Sequence, residues 1–297
     1  TDTTDNKTIT FKGGLVSADS FVTTTQGYNI KFRNDATFAN AVTFQNTGNL
    51  DLGDSVSDDI TFNGGVTEST SGTVTIDGTI VSSNDAMTFG NITIGKDLSM
   101  TSAGGAISIG TITGASGSFD LTITSSGGSA NTVAVGTIGG SDNINTVAIT
   151  GSTSVTLNGN ITTDNNSGNS VTVTGTTINT GAITVDTNNS SNDGAITFDG
   201  AIAGGNNNLA LDSGSANISA NGAIASVGTL TLTSAASATL SGDVDVTTLS
   251  VDNNVGNLTF TGNGSSITNA FAPNNTGTLT LGTSGGTQTY NGGLTTT

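Results

Sequence analysis

The groups in this chain best equipped for chemistry are carboxylates. Asp and Glu number 22 against five Lys and Arg, with no His, no Cys and no Trp. Asp243 and Asp245 lie two positions apart, a spacing that puts both on one face of a strand. Two such acids could divide general acid and general base work. The plainer reading is a pair of solvated surface acids. The densest acidic run is Asp51, Asp54, Asp58 and Asp59, separated by Gly53 and serines. Calcium takes roughly six to eight oxygens, which acidic turns can supply; here too a solvated turn is the plainer reading. Gly139-Gly140-Ser141-Asp142 starts like a glycine-rich calcium nonapeptide and then departs from it. Gly136-Thr137-Ile138-Gly139-Gly140 lacks the Lys and the following helix of a phosphate cradle, which makes it a corner. Asn-x-Ser/Thr sequences at Asn91, Asn160, Asn217 and Asn263 are what chance yields in a chain this rich in Asn and Thr. No catalytic, cofactor-binding or metal-ligating residue is assigned.

Composition narrows the function classes. Without Cys or His there is no disulfide framework, no thiol chemistry and no zinc or haem site of the usual kind. A net charge of −17 argues against nucleic acid and anionic lipid as partners. No apolar run reaches the roughly 18 residues of a membrane-spanning helix. All five basic residues (Lys7, Lys12, Lys31, Arg33 and Lys96) lie in the first 96 positions, and 11 acids with no base follow from Asp97 onward. The chain starts at Thr1 without a visible signal peptide, so it reads as a mature form or an excised segment of something longer. Its Thr, Ser, Asn and Gly content suits an extracellular setting.

The elements that would position any site are strands. Strong helix formers are scarce, and no 3.6-period apolar stripe persists. Apolar residues alternate with Thr, Ser or Asp over three to five positions and then meet Gly or Asn. Triplets opening at Ile9, Ile30, Leu50, Val74, Leu98, Leu121, Val147, Val171 and Ile196 advance by 21, 20, 24, 24, 23, 26, 24 and 25 residues. Similar triplets open at Leu209, Leu230, Leu258 and Leu279 with a blurred register. A repeat of that length holding two or three strands is one coil of a β-solenoid. About 12–13 coils of roughly 20–26 residues are expected, forming one solenoid domain over 1–297. Phe11, Phe32, Phe62, Phe89, Phe198 and Phe260 occupy the second apolar position of a triplet and should point inward, stacked on the next coil. Gly and Asn should supply corners of positive φ, and Asn at matching corners could form amide ladders. An antiparallel sandwich is the structural alternative; it would carry more aromatics, Pro and Lys on its edges.

Segments such as Ile60-Thr61-Phe62-Asn63-Gly64-Gly65-Val66, Val74-Thr75-Ile76-Asp77-Gly78-Thr79-Ile80, Val155-Thr156-Leu157-Asn158-Gly159-Asn160-Ile161 and Leu230-Thr231-Leu232-Thr233-Ser234 resemble the repeats of filamentous-haemagglutinin-like and autotransporter-type bacterial surface proteins. The resemblance runs from about Ile9 to Leu281. It implies a right-handed parallel β-helix, export across a bacterial envelope, and a role as a surface fibre, matrix component or adhesin stalk. It implies no shared site motif. Solenoid ends carry unpaired strand edges unless capped, and neither Thr1–Lys7 nor Asn291–Thr297 reads as a cap. The expected function is therefore a structural subunit or segment of an extracellular filament that stacks head to tail on copies of itself. The basic-leaning start would suit such a contact. A glycan- or matrix-binding adhesin is the alternative, disfavoured by having two Tyr and no Trp. A carbohydrate-active enzyme is more remote, because bases are so few.

Overall fold

The computed structural model describes residues 5–17, 20–128, 131–140, 144–163, 170–188, 192–282 and 286–296. Among them every regular element is a strand, and the strand pairings in register are parallel. The strands wind as a β-solenoid of about 12 turns, so the sandwich alternative is set aside. The chain divides into two compact units: Thr1–Ile144 with Thr150–Thr153, and Asn145–Ile149 with Ser154–Thr297.

In the first unit each coil contributes a short strand to each of three faces. One face stacks Thr8–Phe11, Asn29–Phe32, Leu50–Leu52, Val74–Ile76, Ile92–Ile94 and Ile112–Gly114. A second runs from Leu15–Ser17 through Ala36–Phe38, Asp59–Phe62, Gly78–Ser82 and Leu98–Ser102 to Phe119–Ser125. A third holds Val42–Phe44, Val66–Glu68, Met87–Phe89, Ile107–Ile109 and Thr132–Val135. Burial alternates along them, and the apolar residues of each triplet face a common interior. The second unit repeats the arrangement. Val171, Ile196, Ile218, Ala238, Leu258 and Leu279 stack in register on one of its faces.

Register corrects the repeat as read from triplets. Ile9, Ile30, Leu50 and Val74 do form one column. The next member is not Leu98, however. Thr75 pairs with Thr93, a step of 18 residues, while Leu98 pairs with Gly78 on the second face. The step shortens because the corner after Leu50–Leu52 holds six residues and that after Val74–Ile76 only Asp77, and because the corner after Val66–Glu68 holds five and that after Met87–Phe89 two. The blurred register beyond Ile196 has the same cause. Leu209 pairs with Leu230 and Leu258 with Leu279, but the two pairs belong to different faces.

Coil-on-coil pairing dictates the packing. Neighbouring strands sit about 4.8 Å apart, so matched residues on consecutive coils touch directly. Phe11 and Phe32 lie parallel with ring centroids 4.7 Å apart, and Phe38 and Phe62 at 5.0 Å. Phe32, Phe62, Phe89, Phe198 and Phe260 are buried and Phe11 is half-buried. Above Phe62 the column turns polar, with Ser82, Ser102 and Ser125 all fully buried. Their hydroxyls close the corner by donating to the carbonyls of Asp85 and Gly105. Thr187 and Ser213 do similar work in the second unit, donating to the carbonyls of Gly194 and Ala216.

Glycine marks corners for a reason beyond positive φ. Gly175, Gly200, Gly222, Gly242 and Gly262 stand one above another. A Cβ on Gly200 would lie 2.1 Å from the Gly175 carbonyl oxygen, and one on Gly222 would lie 2.6 Å from that of Gly200. Gly242 and Gly262 repeat the approach at 2.5 and 2.4 Å. Only Gly175 of the five has a positive φ, 114°. The carbonyl of the coil below fills the place of the side chain, which is why this column admits glycine alone. Gly222→Ala is expected to lower stability by about 1–3 kcal/mol through overpacking. Gly181→Ala, where nothing lies within 4 Å of the added carbon, should leave it within about 0.5 kcal/mol. Denaturant unfolding of the two variants checks this, and equal losses would contradict it.

Candidate functional site

The acids singled out by spacing do not converge. Asp51 pairs with Lys31, its in-register neighbour on the coil below, and Asp54 pairs with Arg33. Asp58 is buried, and its Oδ2 accepts the N–H groups of Asp54 at 2.8 Å and Ser55 at 3.1 Å. Asp59 donates its own N–H to Asp35. The carboxylates of Asp51, Asp54 and Asp58 thus have separate partners, and Asp59 takes part through its main-chain N–H. Asp245 is exposed, and Asp243 accepts the Gly264 N–H at 2.8 Å. Among the described residues no group of three or more acids could hold a metal ion. Gly139 and Gly140 take positive φ, 76° and 105°, as corner residues do; Ser141 and Asp142 lie outside the described residues.

The asparagines form a device that sequence reading missed. The residue just before the first inward position of a strand is repeatedly Asn or Asp, and its side-chain oxygen accepts the backbone N–H of the matching residue one coil on. Asn29 accepts from Asn49 at 2.8 Å, Asn49 from Thr73 at 3.1 Å and Asn91 from Thr111 at 2.9 Å. Asn160, Asn208 and Asn257 accept from Thr184, Thr229 and Thr278, each at 2.9 Å. Asp35 and Asp97 accept from Asp59 and Asp120 at 3.0 Å. These braces add a rung to the ladder just outside each strand. They replace the amide ladders expected of stacked Asn, because the acceptor reaches main chain rather than another amide. The signal was available as Asx-apolar-x-apolar, which seven of these eight residues open, Asn160 being the exception.

Two further acids, Glu68 and Asp77, are buried, and two more, Asp186 and Asp212, are half-buried. Glu68, the only Glu, follows Phe44 in an inward column, is 1% exposed, and accepts the N–H groups of Thr70 and Ser71 at 2.9 and 2.7 Å. It caps the last of the long corners before the corner shortens. Asp186 and Asp212 are in register on adjacent coils. Burial raises the pKa of Asp186, with the Asp212 charge adding to the effect. Asp77, 6% exposed, accepts the Gly95 N–H at 2.6 Å. Its pKa is raised by burial, against the pull of the Gly95 and Lys96 backbone groups.

The surface offers open grooves rather than enclosed cavities. One of about 480 Å³ is lined by Asp252, Asn253, Pro273, Asn274 and Leu279 among others. Another of about 540 Å³ is lined by Asp193, Asp212, Ser234 and Asn254 among others.

Main-chain pairing is one-sided at the outermost described strands. Among the described residues, Thr8–Phe11 and Leu15–Ser17 pair with the coil above, and Leu279–Leu281 and Thr289–Tyr290 pair with the coil below. Ile9, Phe11, Leu279 and Leu281 are half-buried, whereas Ile30, Phe32, Leu258 and Phe260 one coil inward are at most 1% exposed. Comparison with protein-family models, curated proteins and solved structures yields no match.

The Asp77 shift has a defined sign. A carboxyl that holds its proton more tightly when folded contributes least stability once ionised. The contribution is full below the ordinary carboxylate range and declines as pH rises through the raised value. Asp77→Asn keeps an oxygen for the Gly95 N–H and removes the charge. Relative to the parent, its stability should rise between about pH 4 and 7, read by denaturation at a series of pH values. A relative loss over that range would contradict the assignment.

Proposed function

We propose that this chain is a structural subunit or segment of an extracellular bacterial surface filament, assembling end to end as a coil of one copy roofs a coil of the next. The observation that supports this reading is that, among the described residues, the outermost strands pair on one side beside half-exposed apolar residues. An unpaired edge is a template for another strand. Burying its apolar floor recovers roughly 25 cal/mol per Å². Three further features support the reading. The polar groups are largely engaged in holding corners and braces. The charge of −17 keeps rods apart sideways and disfavours nucleic acid. The repeats resemble in style those of filamentous-haemagglutinin-like and autotransporter-type surface proteins, which act by length and display rather than turnover. Right-handed winding follows from the strong preference of parallel crossovers for that hand.

Thr10→Pro tests the reading at one edge. Arg33 donates its N–H to the Phe11 carbonyl at 2.9 Å and Asn29 to the Lys7 carbonyl at 2.7 Å. Main-chain groups alternate sides along a strand, so those of Thr8 and Thr10 face the open edge. Proline at position 10 therefore removes a free N–H and no internal bond. Electron microscopy and sedimentation of the parent chain should show long uniform fibres. The variant should give short particles with unchanged thermal unfolding. Dispersed parent particles at high concentration, or undiminished fibres from the variant, would contradict the proposal.

A further inference from the structure

One acid stands where a groove meets the interior. Glu68 is 1% exposed, and both backbone N–H groups that it accepts, from Thr70 and Ser71, fall on Oε1. Among the described residues its Oε2 accepts no hydrogen bond, and the two ion pairs are Lys31–Asp51 and Arg33–Asp54. Glu68 is thus a buried carboxylate with no cation beside it, and a buried charge without a partner is costly. Its free oxygen faces Gly90, where an added Cβ would lie 3.6 Å away in ordinary contact. Only that oxygen and the Ser69 Cα come within 4 Å of such a carbon, so the space beside the oxygen is open.

The groove in front of it comes from the change in corner length. The five-residue corner after Val66–Glu68 stands beneath the two-residue corner Gly90-Asn91. Ser69, Thr70, Gly72 and Thr73 are exposed and form a ledge. Two connected hollows run along it. One of about 270 Å³ is lined by Glu68, Ser71 and Gly90, the other of about 290 Å³ by Thr73, Thr93 and Thr113, and both touch Gly72, Val74 and Asn91. Asn91 Oδ1 accepts the Thr111 N–H at 2.9 Å, which leaves Nδ2 as a free donor. Thr93 and Thr113 stand in register with their hydroxyls 3.2 Å apart. The trough therefore presents a lone carboxylate oxygen at one end, an amide donor in the middle and a hydroxyl pair at the other end. A few convergent polar groups around an apolar floor, here Val74 and Ile92, are what fix a small ligand's orientation.

These groups select a ligand. Glu68 calls for a cationic group, and Asn91 with the threonine pair calls for hydroxyls. A bare metal ion fits poorly, because calcium takes roughly six to eight oxygens and no three acids gather among the described residues. A simple alkylammonium would leave Asn91 and the threonines unmatched. We propose that the trough binds an amino sugar, its ammonium donating to Glu68 Oε2 and its hydroxyls meeting Asn91 Nδ2 and the Thr93–Thr113 pair. The site lies within the first unit and does not depend on how copies assemble. No aromatic ring lines it, so a single sugar should bind weakly, with a dissociation constant on the order of 1 mM. Amide spectra of the isotope-labelled chain titrated with D-glucosamine should show saturable shifts at Ser71, Gly90 and Asn91. D-glucose, which lacks the charged hydrogen bond, should bind at least about tenfold more weakly. Glu68→Gln keeps an oxygen for the Thr70 and Ser71 N–H groups and should erase that preference. Gly90→Val, which fills the space beside Oε2, should abolish the shifts and leave the rest of the spectrum unchanged. Equal affinity for the two sugars in the parent chain, no saturable shift with glucosamine, or an undiminished preference in either variant would overturn the site. Fibre formation is read separately by microscopy, so the two proposals fail independently.

Discussion

Everything in this protein depends on parallel hydrogen bonding between consecutive coils. That ladder sets an axial rise of one strand spacing per turn, and the rise decides what each position can hold. An inward position must suit the residues directly above and below it, so Phe11 lies flat on Phe32 and Phe38 on Phe62. A corner whose carbonyl points upward leaves no room for a Cβ, which produces five glycines in a column from Gly175 to Gly262. A side chain just outside a strand can reach the next coil's N–H only if it is short and ends in an acceptor, and Asn and Asp answer both needs.

The same constraint accounts for where much of the polar chemistry is engaged. Asx braces, buried serines and the buried acids Glu68 and Asp77 are occupied with main-chain groups that the corners would otherwise leave unsatisfied. Glu68 sits where the long corners give way to a short one, and its carboxylate caps the N–H groups of Thr70 and Ser71. Asp77 and Asp186 are held with raised pKa by burial. The Gly95 and Lys96 backbone groups work against the shift at Asp77, and the charge of Asp212, in register one coil on, adds to that at Asp186.

Much of the architecture was legible in sequence. Alternation in short runs, the near absence of helix formers and the recurrence of apolar triplets lead to stacked parallel coils, and the inward Phe positions follow. Two things were not legible from triplets alone. All three faces use the same apolar-x-apolar pattern, so Val74 and Leu98 look like successive members of one column when they stand on two. The glycine column would have separated the faces, since Gly200, Gly222, Gly242 and Gly262 recur at 22, 20 and 20 residues. The asparagines were seen as corner residues, but their preference for main-chain N–H over another amide depends on the axial direction of the side chain, which composition does not carry. The acidic run from Asp51 to Asp59 looked like one cluster because sequence distance is short; the corner between coils sends its members to different partners.

Fibre diffraction from oriented filaments of the purified chain tests the central claim most directly. Coils stacked along the filament, within and between copies, predict a sharp meridional reflection at about 4.8 Å. A reflection of that spacing on the equator, with strands running along the fibre, would contradict the account.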